Sequence, residues 1–403
     1  MNYVKNIESA NKLTPPFNKI RNSRIELLRI ISMLLIVIHH FAVHGFEGIN
    51  SENFNFVFSP NLIFLQFQTI MGKIGVDLFF IISAWFMVDK KIDYKRFIKL
   101  FGEVWFYSIL IMLLFLFILE PVEPIKIKKI IGNFLPVLTG QYWFVTTYVI
   151  LIFFSPFLNK IIEKFNKKEL KDFIILLFIM IVIINGIFGK FFKDLRNNVI
   201  SVIFIYLFVG YIKKNIIFDN NYKRNLLLSL VSLLLYLFNV FIIDLVAHTL
   251  GDKISLYKRA SYFGKNSLSV FTIITSIELF IAFIKMEPFE NKFINKIASA
   301  TFGIYLIHDN QIFRRYLWDK IFRVNTFYSS KYLILYAIAV TLVIYVTCTI
   351  IDLLRQATIE KLWLKIGNHL YNIMKNVIQW FCTKLIYVIK RFKALEWNTI
   401  LLL

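Results

Sequence analysis

Cysteine is almost absent from this chain. The two present, Cys348 and Cys382, exclude a disulfide framework and a cysteine-based metal cluster. Charge is scarce as well. Charged residues make up 18% of the 403 and hydrophobic ones 58%, whereas an ordinary soluble domain is about a quarter charged. Acidic residues are fewest, with 25 Asp and Glu against 47 Lys and Arg and a net charge of +22. That excess does not point to nucleic acid. The basic residues lie in short segments between apolar runs, as the positive-inside effect requires. No Walker loop, dinucleotide glycine motif or GxSxG elbow occurs. Internal repeats and low-complexity linkers are missing too.

What the chain has is apolar length. Its apolar runs are about seventeen to twenty-five residues long, enough to cross a hydrocarbon core of about 30 Å. The expected fold is all-α: a polytopic membrane protein with about ten transmembrane helices. They are placed near 25–44, 62–88, 102–120, 142–158, 171–190, 198–213, 225–247, 263–285, 297–318 and 331–354. The second is expected to be composite, broken at Gly72, Lys73 and Gly75. Residues 1–24 form a basic segment, 25–354 the membrane domain, and 355–403 a basic, aromatic-rich amphipathic tail on the inner leaflet. Lysines and arginines alternate between connections. Lys90, Lys91, Lys95, Arg96 and Lys99 lie in one, and only Glu47 and Glu52 in the one before. This places both termini in the cytoplasm. The lysines at 126, 128 and 129, and the group Lys190, Lys193 and Arg196, are exceptions. The first apolar run is not read as a cleaved signal peptide, because Arg29 and two histidines interrupt it.

Arg29 and His40 are eleven residues apart in that first run. On a helix this is three turns plus about 20°, so both share a face, about 16 Å apart along the axis. A cation and an imidazole are costly inside a membrane and mark a functional path by default. Glu26 and His44 extend the same face. With the N-terminus inside, Glu26 and Arg29 lie near the inner surface, His40 deeper, and His44 toward the outside. Such a face suits an anionic cytosolic donor that reaches into the membrane toward a base. Arg29 alone could equally snorkel to the headgroups. His39 points about 100° away and reads as structural.

Other residues are candidates by type and position. Asp77 is an intramembrane carboxylate and should face a polar interior or a cation. Ser83 and Ala84 form a small pair that admits a neighbouring backbone. Gln141-Tyr142-Trp143-Phe144 opens a helix with aromatics, which ordinarily make an interface belt. In the stretch from Thr301 to Asp309, Tyr305, His308 and Asp309 put polar groups within a span. A second imidazole near His40 would be useful; a satisfied core histidine is the alternative. His248 and His369 have no partners at metal-ligand spacing, and no resident metal is expected.

Taken in order, four motifs resemble the acyltransferase 3 family of bacterial membrane acyltransferases. They are Glu26 with Arg29-x10-His40, Asp77-Leu78-Phe79-Phe80-x-x-Ser83, Trp143-Phe144, and Gly303-Ile304-Tyr305-Leu306-Ile307-His308. The resemblance runs from about residue 20 to 355. Two departures stand out. Ala84 replaces the usual glycine after the serine. The arginine-rich start of helix three appears as Arg96-Phe97-Ile98-Lys99, and Lys99 lacks arginine's planar fork.

The resemblance implies an O-acyltransferase of a bacterial inner membrane, multi-pass, with no bound cofactor. Its donor would be acetyl-CoA or another acyl-CoA, with succinyl next after acetyl. Its acceptor would be a hydroxyl of a cell-surface polysaccharide or lipid-linked glycan. Arg29 and His40 would be the essential pair and Glu26 would orient Arg29. Arg96 and Lys99 would help Arg29 hold the CoA phosphates. His44, Asp77, Ser83, Trp143, Tyr305 and His308 are the expected substrate or path-lining residues. The bilayer is the other partner and oligomeric state is left open. A flippase or exporter of lipid-linked oligosaccharide is the competing class. A polymerase or ligase should show a large outer loop rich in Arg and His; the loops at 45–61 and 120–141 contain no arginine.

Overall fold

The computed structural model describes residues 22–46, 56–184, 198–216, 219, 221–264, 268–369, 371–373, 375–377 and 379–380. Every regular element among them is helical. The segment 1–21, the Glu47–Glu52 loop, the Lys190–Arg196 connection and the tail beyond 380, with Cys382, lie outside the described residues.

Helix α1 (Ser23–Gly45) starts at Asn22, whose side chain accepts from the Arg24 N–H at 3.2 Å. Glu26 in the first turn suits the positive end of the helix. Ser23 ties this end to α11 (Lys292–Ser299), donating to Asn295 Oδ1 at 2.8 Å. Helix α2 (Pro60–Met87) begins with a Ser59 cap and a proline at its first turn. It runs unbroken for 28 residues, so the expected division at Gly72–Gly75 is corrected. The glycines serve close packing instead. A Cβ on Gly72 would fall on the His39 ring, and one on Gly75 on the Ser32 carbonyl. Without side chains there, α1 and α2 lie backbone to backbone, the small-residue rule of membrane packing.

Six described helices are long and apolar enough to cross a membrane: α1, α2, α3 (Tyr94–Phe117), α5 (Trp143–Lys164), α8 (Tyr222–Thr249) and α13 (Leu333–Thr358). Four expected spans take other forms. That at 171–190 is α6 (Lys167–Phe178) running into a π turn, Ile179–Ile184. That at 198–213 is α7 (Asn198–Asn215), and that at 263–285 shortens to α10 (Val270–Lys285). The span at 297–318 is broken. It comprises the end of α11, then α12 (Thr301–His308), then a helical turn Phe313–Arg315 leading into a π turn, Tyr316–Ile321. The break after His308 is held by Asn310, whose side chain accepts from the Ile312 N–H at 2.9 Å. Short helices α4 (Ile127–Phe134) and α9 (Ile254–Ala260) lie in connections between longer ones. Leu227, Leu230, Leu234 and Leu235 leave α8 with a broad exposed apolar face, as lipid contact requires.

After α13 the chain is helical through 360–369 and folds back onto the start of α3. The Trp363 indole donates to the Ile98 carbonyl at 3.0 Å, and Lys99 Nζ is 2.6 Å from Glu360. This described part of the tail therefore docks on the helical bundle. Beside it Arg355 is buried between Asp352 at 2.7 Å and Glu103 at 3.2 Å. Tyr107 and Gln356 also donate to Asp352, at 2.8 and 2.7 Å. A charge group this deep depends on the pairing of its opposite charges.

Candidate active site

Helix α1 brings its polar face against the broken segment at 301–321. His308 ends α12, and its Nδ1 is 2.6 Å from the Ile304 carbonyl. A carbonyl can only accept, so Nδ1 carries the proton, and in the neutral imidazole Nε2 has the lone pair. His40 Nδ1 lies 2.8 Å from that Nε2. It must donate, which leaves His40 Nε2 as a free acceptor. Two contacts thus fix the tautomer and orientation of His40. Asp309, one residue on, stands 4.0 Å from His40 Nδ1 and 3.2 Å from His44 Nε2. Arg314 approaches Asp309 at 3.7 Å.

A cavity of about 190 Å³ opens on this group. His39, His40 and His44 line it from α1, Lys73 and Phe79 from α2, and Trp143 and Phe144 from α5. Phe302, Tyr305, Asp309 and Arg314 close it. Tyr142 braces the wall by donating to the Leu306 carbonyl at 3.0 Å, while Asn310 donates to its hydroxyl at 2.7 Å. The helix-opening aromatics therefore line a cavity as well as marking a helix end. His39, though offset on α1, borders the same space because α2 lies so close.

Arg29 is at the other end of α1, paired with Glu26 at 2.8 Å. Its guanidinium lies 5.5 Å from the centre of the Phe86 ring. Phe86 borders a second cavity of about 230 Å³ with Lys90, Lys91, Asp93 and Arg96. Three cations against one carboxylate make this an anion-attracting recess.

Of the residues selected from sequence, His40, His44, Trp143 and Tyr305 border one cavity, with His308 behind His40. Glu26 and Arg29 form a pair near the recess that holds Arg96. Lys99 is not among them. It faces a separate cavity of about 240 Å³ beside α13, where Glu360 holds it. Asp77 is buried, and its Oδ2 accepts from the Leu268 N–H at 3.4 Å. Neither Asp77 nor Ser83 borders the histidine cavity. Lys73, Asp309 and Arg314 were not selected as site residues. Lys73 is legible as a lysine inside an apolar run, and Asp309 is the intramembrane carboxylate noted beside His308 but given no role there. Arg314 reaches the cavity only because the helix breaks before it.

These features define a multi-pass membrane protein with an oriented histidine in an internal cavity and a basic recess toward the other end of the same helix. The sequence model of the acyltransferase 3 family, an acyltransferase domain, matches residues 22–352, and the chain belongs to that family. It is a membrane acyltransferase. No curated protein and no solved structure matches it.

Proposed function

We propose that this acyltransferase takes an acyl group, acetyl first and succinyl next, from cytosolic acyl-CoA and passes it to a hydroxyl of an extracytoplasmic polysaccharide or lipid-linked glycan. The observation that carries this reading is the contact series from the Ile304 carbonyl through His308 to His40, which itself borders a cavity. The acceptor hydroxyl attacks the thioester carbonyl as His40 Nε2 takes its proton. The C–O bond forms, the C–S bond breaks, and the proton leaves on the CoA sulfur. The imidazolium formed on the way keeps its Nδ1–H on His308 and has Asp309 4.0 Å away. An imidazole held in this way meets the needs of a general base at neutral pH.

The donor side is the recess of Lys90, Lys91 and Arg96, with Arg29 behind Phe86. Such cations suit the phosphates of CoA. Its pantetheine arm would extend along α1, where Arg29 and His40 are about 16 Å apart. This requires the Arg29 end to face the cytoplasm of a bacterial cell and the His44 end to face outward. Aromatic walls at Trp143, Phe144, Phe302 and Tyr305 suit a sugar ring.

The test is to supply membranes containing the protein with radiolabelled acetyl-CoA and to determine the structure of the host's surface glycan with and without the gene. Release of free CoA together with a glycan acyl group that disappears with the gene supports the reading. A flippase would leave acetyl-CoA unconsumed, and that result would overturn it.

A further inference from the structure

His40 and His44 are one helical turn apart, and Asp309 meets them from the broken segment. One donor atom from each of the three lies within 4.8 Å of the others. The sequence carries no expectation of a metal here, and the carboxylate that meets the two histidines lies far along the chain. We propose that His40, His44 and Asp309 form a binding site for a divalent transition-metal cation, with zinc the best fit, and that the bound cation switches His40 off as a base.

Zinc bonds of about 2.0–2.2 Å to nitrogen and oxygen put tetrahedral ligands roughly 3.3 Å apart. His44 Nε2 and Asp309 Oδ1 are already 3.2 Å apart. His40 Nδ1, at 4.0 Å from the same oxygen, needs to close by less than an ångström. Two histidines at i and i+4 on one helix face are a familiar chelating pair. His308 Nε2, beside His40, offers a fourth nitrogen, and its other nitrogen is anchored to a backbone carbonyl. That anchor is the usual support behind a metal-ligating histidine. The side chains are largely buried, with exposures of 12% for His40, 24% for His44 and 8% for Asp309. Arg314 now occupies the Asp309 side of the group at 3.7 Å. Its side chain is 37% exposed and can swing toward solvent as the cation enters.

Inhibition follows from the tautomer. Coordination through His40 Nδ1 moves its proton to Nε2, the atom that accepts the substrate proton in the proposed reaction. The same imidazole cannot bind the cation there and act as the base. This clause rests on the acyltransferase reading; the site itself does not.

Equilibrium dialysis of the purified full chain against micromolar zinc, with metal analysis, should find one tightly held equivalent. His44→Ala and Asp309→Asn should each weaken it by more than the roughly 10–100-fold that an outer partner is worth. His248→Ala should not, although His248 has Asp252 at 3.0 Å on an exposed surface. Because either site variant could misfold, the wild-type chain is also titrated with cobalt(II). Intense visible bands of tetrahedral nitrogen and oxygen ligation, without sulfur charge transfer, are expected. Only weak octahedral bands, or zinc retained by both site variants, would overturn the proposal. No acyl donor is present in either measurement, so failure of the acyltransferase reading would not alter them.

Discussion

His40 Nδ1 lies 2.8 Å from His308 Nε2, although 268 residues separate the two. The Ile304 carbonyl behind His308 sets the direction of both hydrogen bonds. One imidazole is thus used to aim another, as the orienting group of a catalytic triad does.

Replacing the aimed imidazole should remove the base. His40→Ala is expected to lower transfer by about 10²–10⁴-fold or more, with membrane levels unchanged. His308→Ala should lower kcat far more than it changes either KM, and His308→Gln, which keeps an acceptor, should recover part of the loss. Near-normal glycan acylation in His40→Ala membranes would rule out this mechanism.

On the donor side, Arg29 of α1 and Arg96 of α3 should separate from Lys99 of α3. Arg29→Lys and Arg96→Ala should raise the acyl-CoA concentration needed for half-maximal rate more than the acceptor concentration, since each weakens an anion site. Lys99→Ala should leave donor dependence near normal, because Lys99 faces Glu360 across another cavity. Its side chain is 43% exposed, so the stability cost should be at most about 1 kcal/mol. Equal donor effects for Arg96 and Lys99 would contradict this division.

Close packing of α1 and α2 at Gly72 is a stability matter with a functional consequence. Gly72→Ala puts a methyl group into the His39 ring. Overpacking of this kind costs about 1–3 kcal/mol. Thermal unfolding in detergent should show the loss, and transfer should fall as the cavity wall shifts. An unchanged midpoint would mean the helices can separate without penalty.

Arg355 sits 6% exposed between Glu103 and Asp352. Arg355→Leu strands two carboxylates in the bundle and should cost about 3–5 kcal/mol. Poor recovery of folded protein after extraction is the expected readout. Wild-type recovery and melting would show that the group is hydrated.

Orientation can be tested on intact cells. After Cys348 and Cys382 are replaced, a cysteine at Asn50 should react with a membrane-impermeant thiol reagent, while one at Ile92 should not. The reverse pattern would put Arg29 on the wrong side for cytosolic CoA and end the transmembrane-transfer reading.

Much of this was legible in the sequence, because membrane helices answer to local rules. Apolar length marks out membrane-buried helical segments, and six of the expected runs are single helices long enough to span. The shared face of Glu26, Arg29, His40 and His44 follows from 3.6 residues per turn. The four ordered motifs sufficed to suggest the acyltransferase 3 family. Contacts between distant segments could not be read in this way. Apolarity from 297 to 318 looks like one span, but Asn310 caps a new turn and breaks it, which turns His308 onto His40 and brings Arg314 to the cavity. Gly72 and Gly75 read locally as a break in α2, yet in the bundle they are where α1 fits. Lys99 and Arg96 are one turn apart on α3, yet they border different cavities because different partners lie opposite them. Periodicity specifies which face a side chain lies on. Only the packed neighbour decides what that face meets.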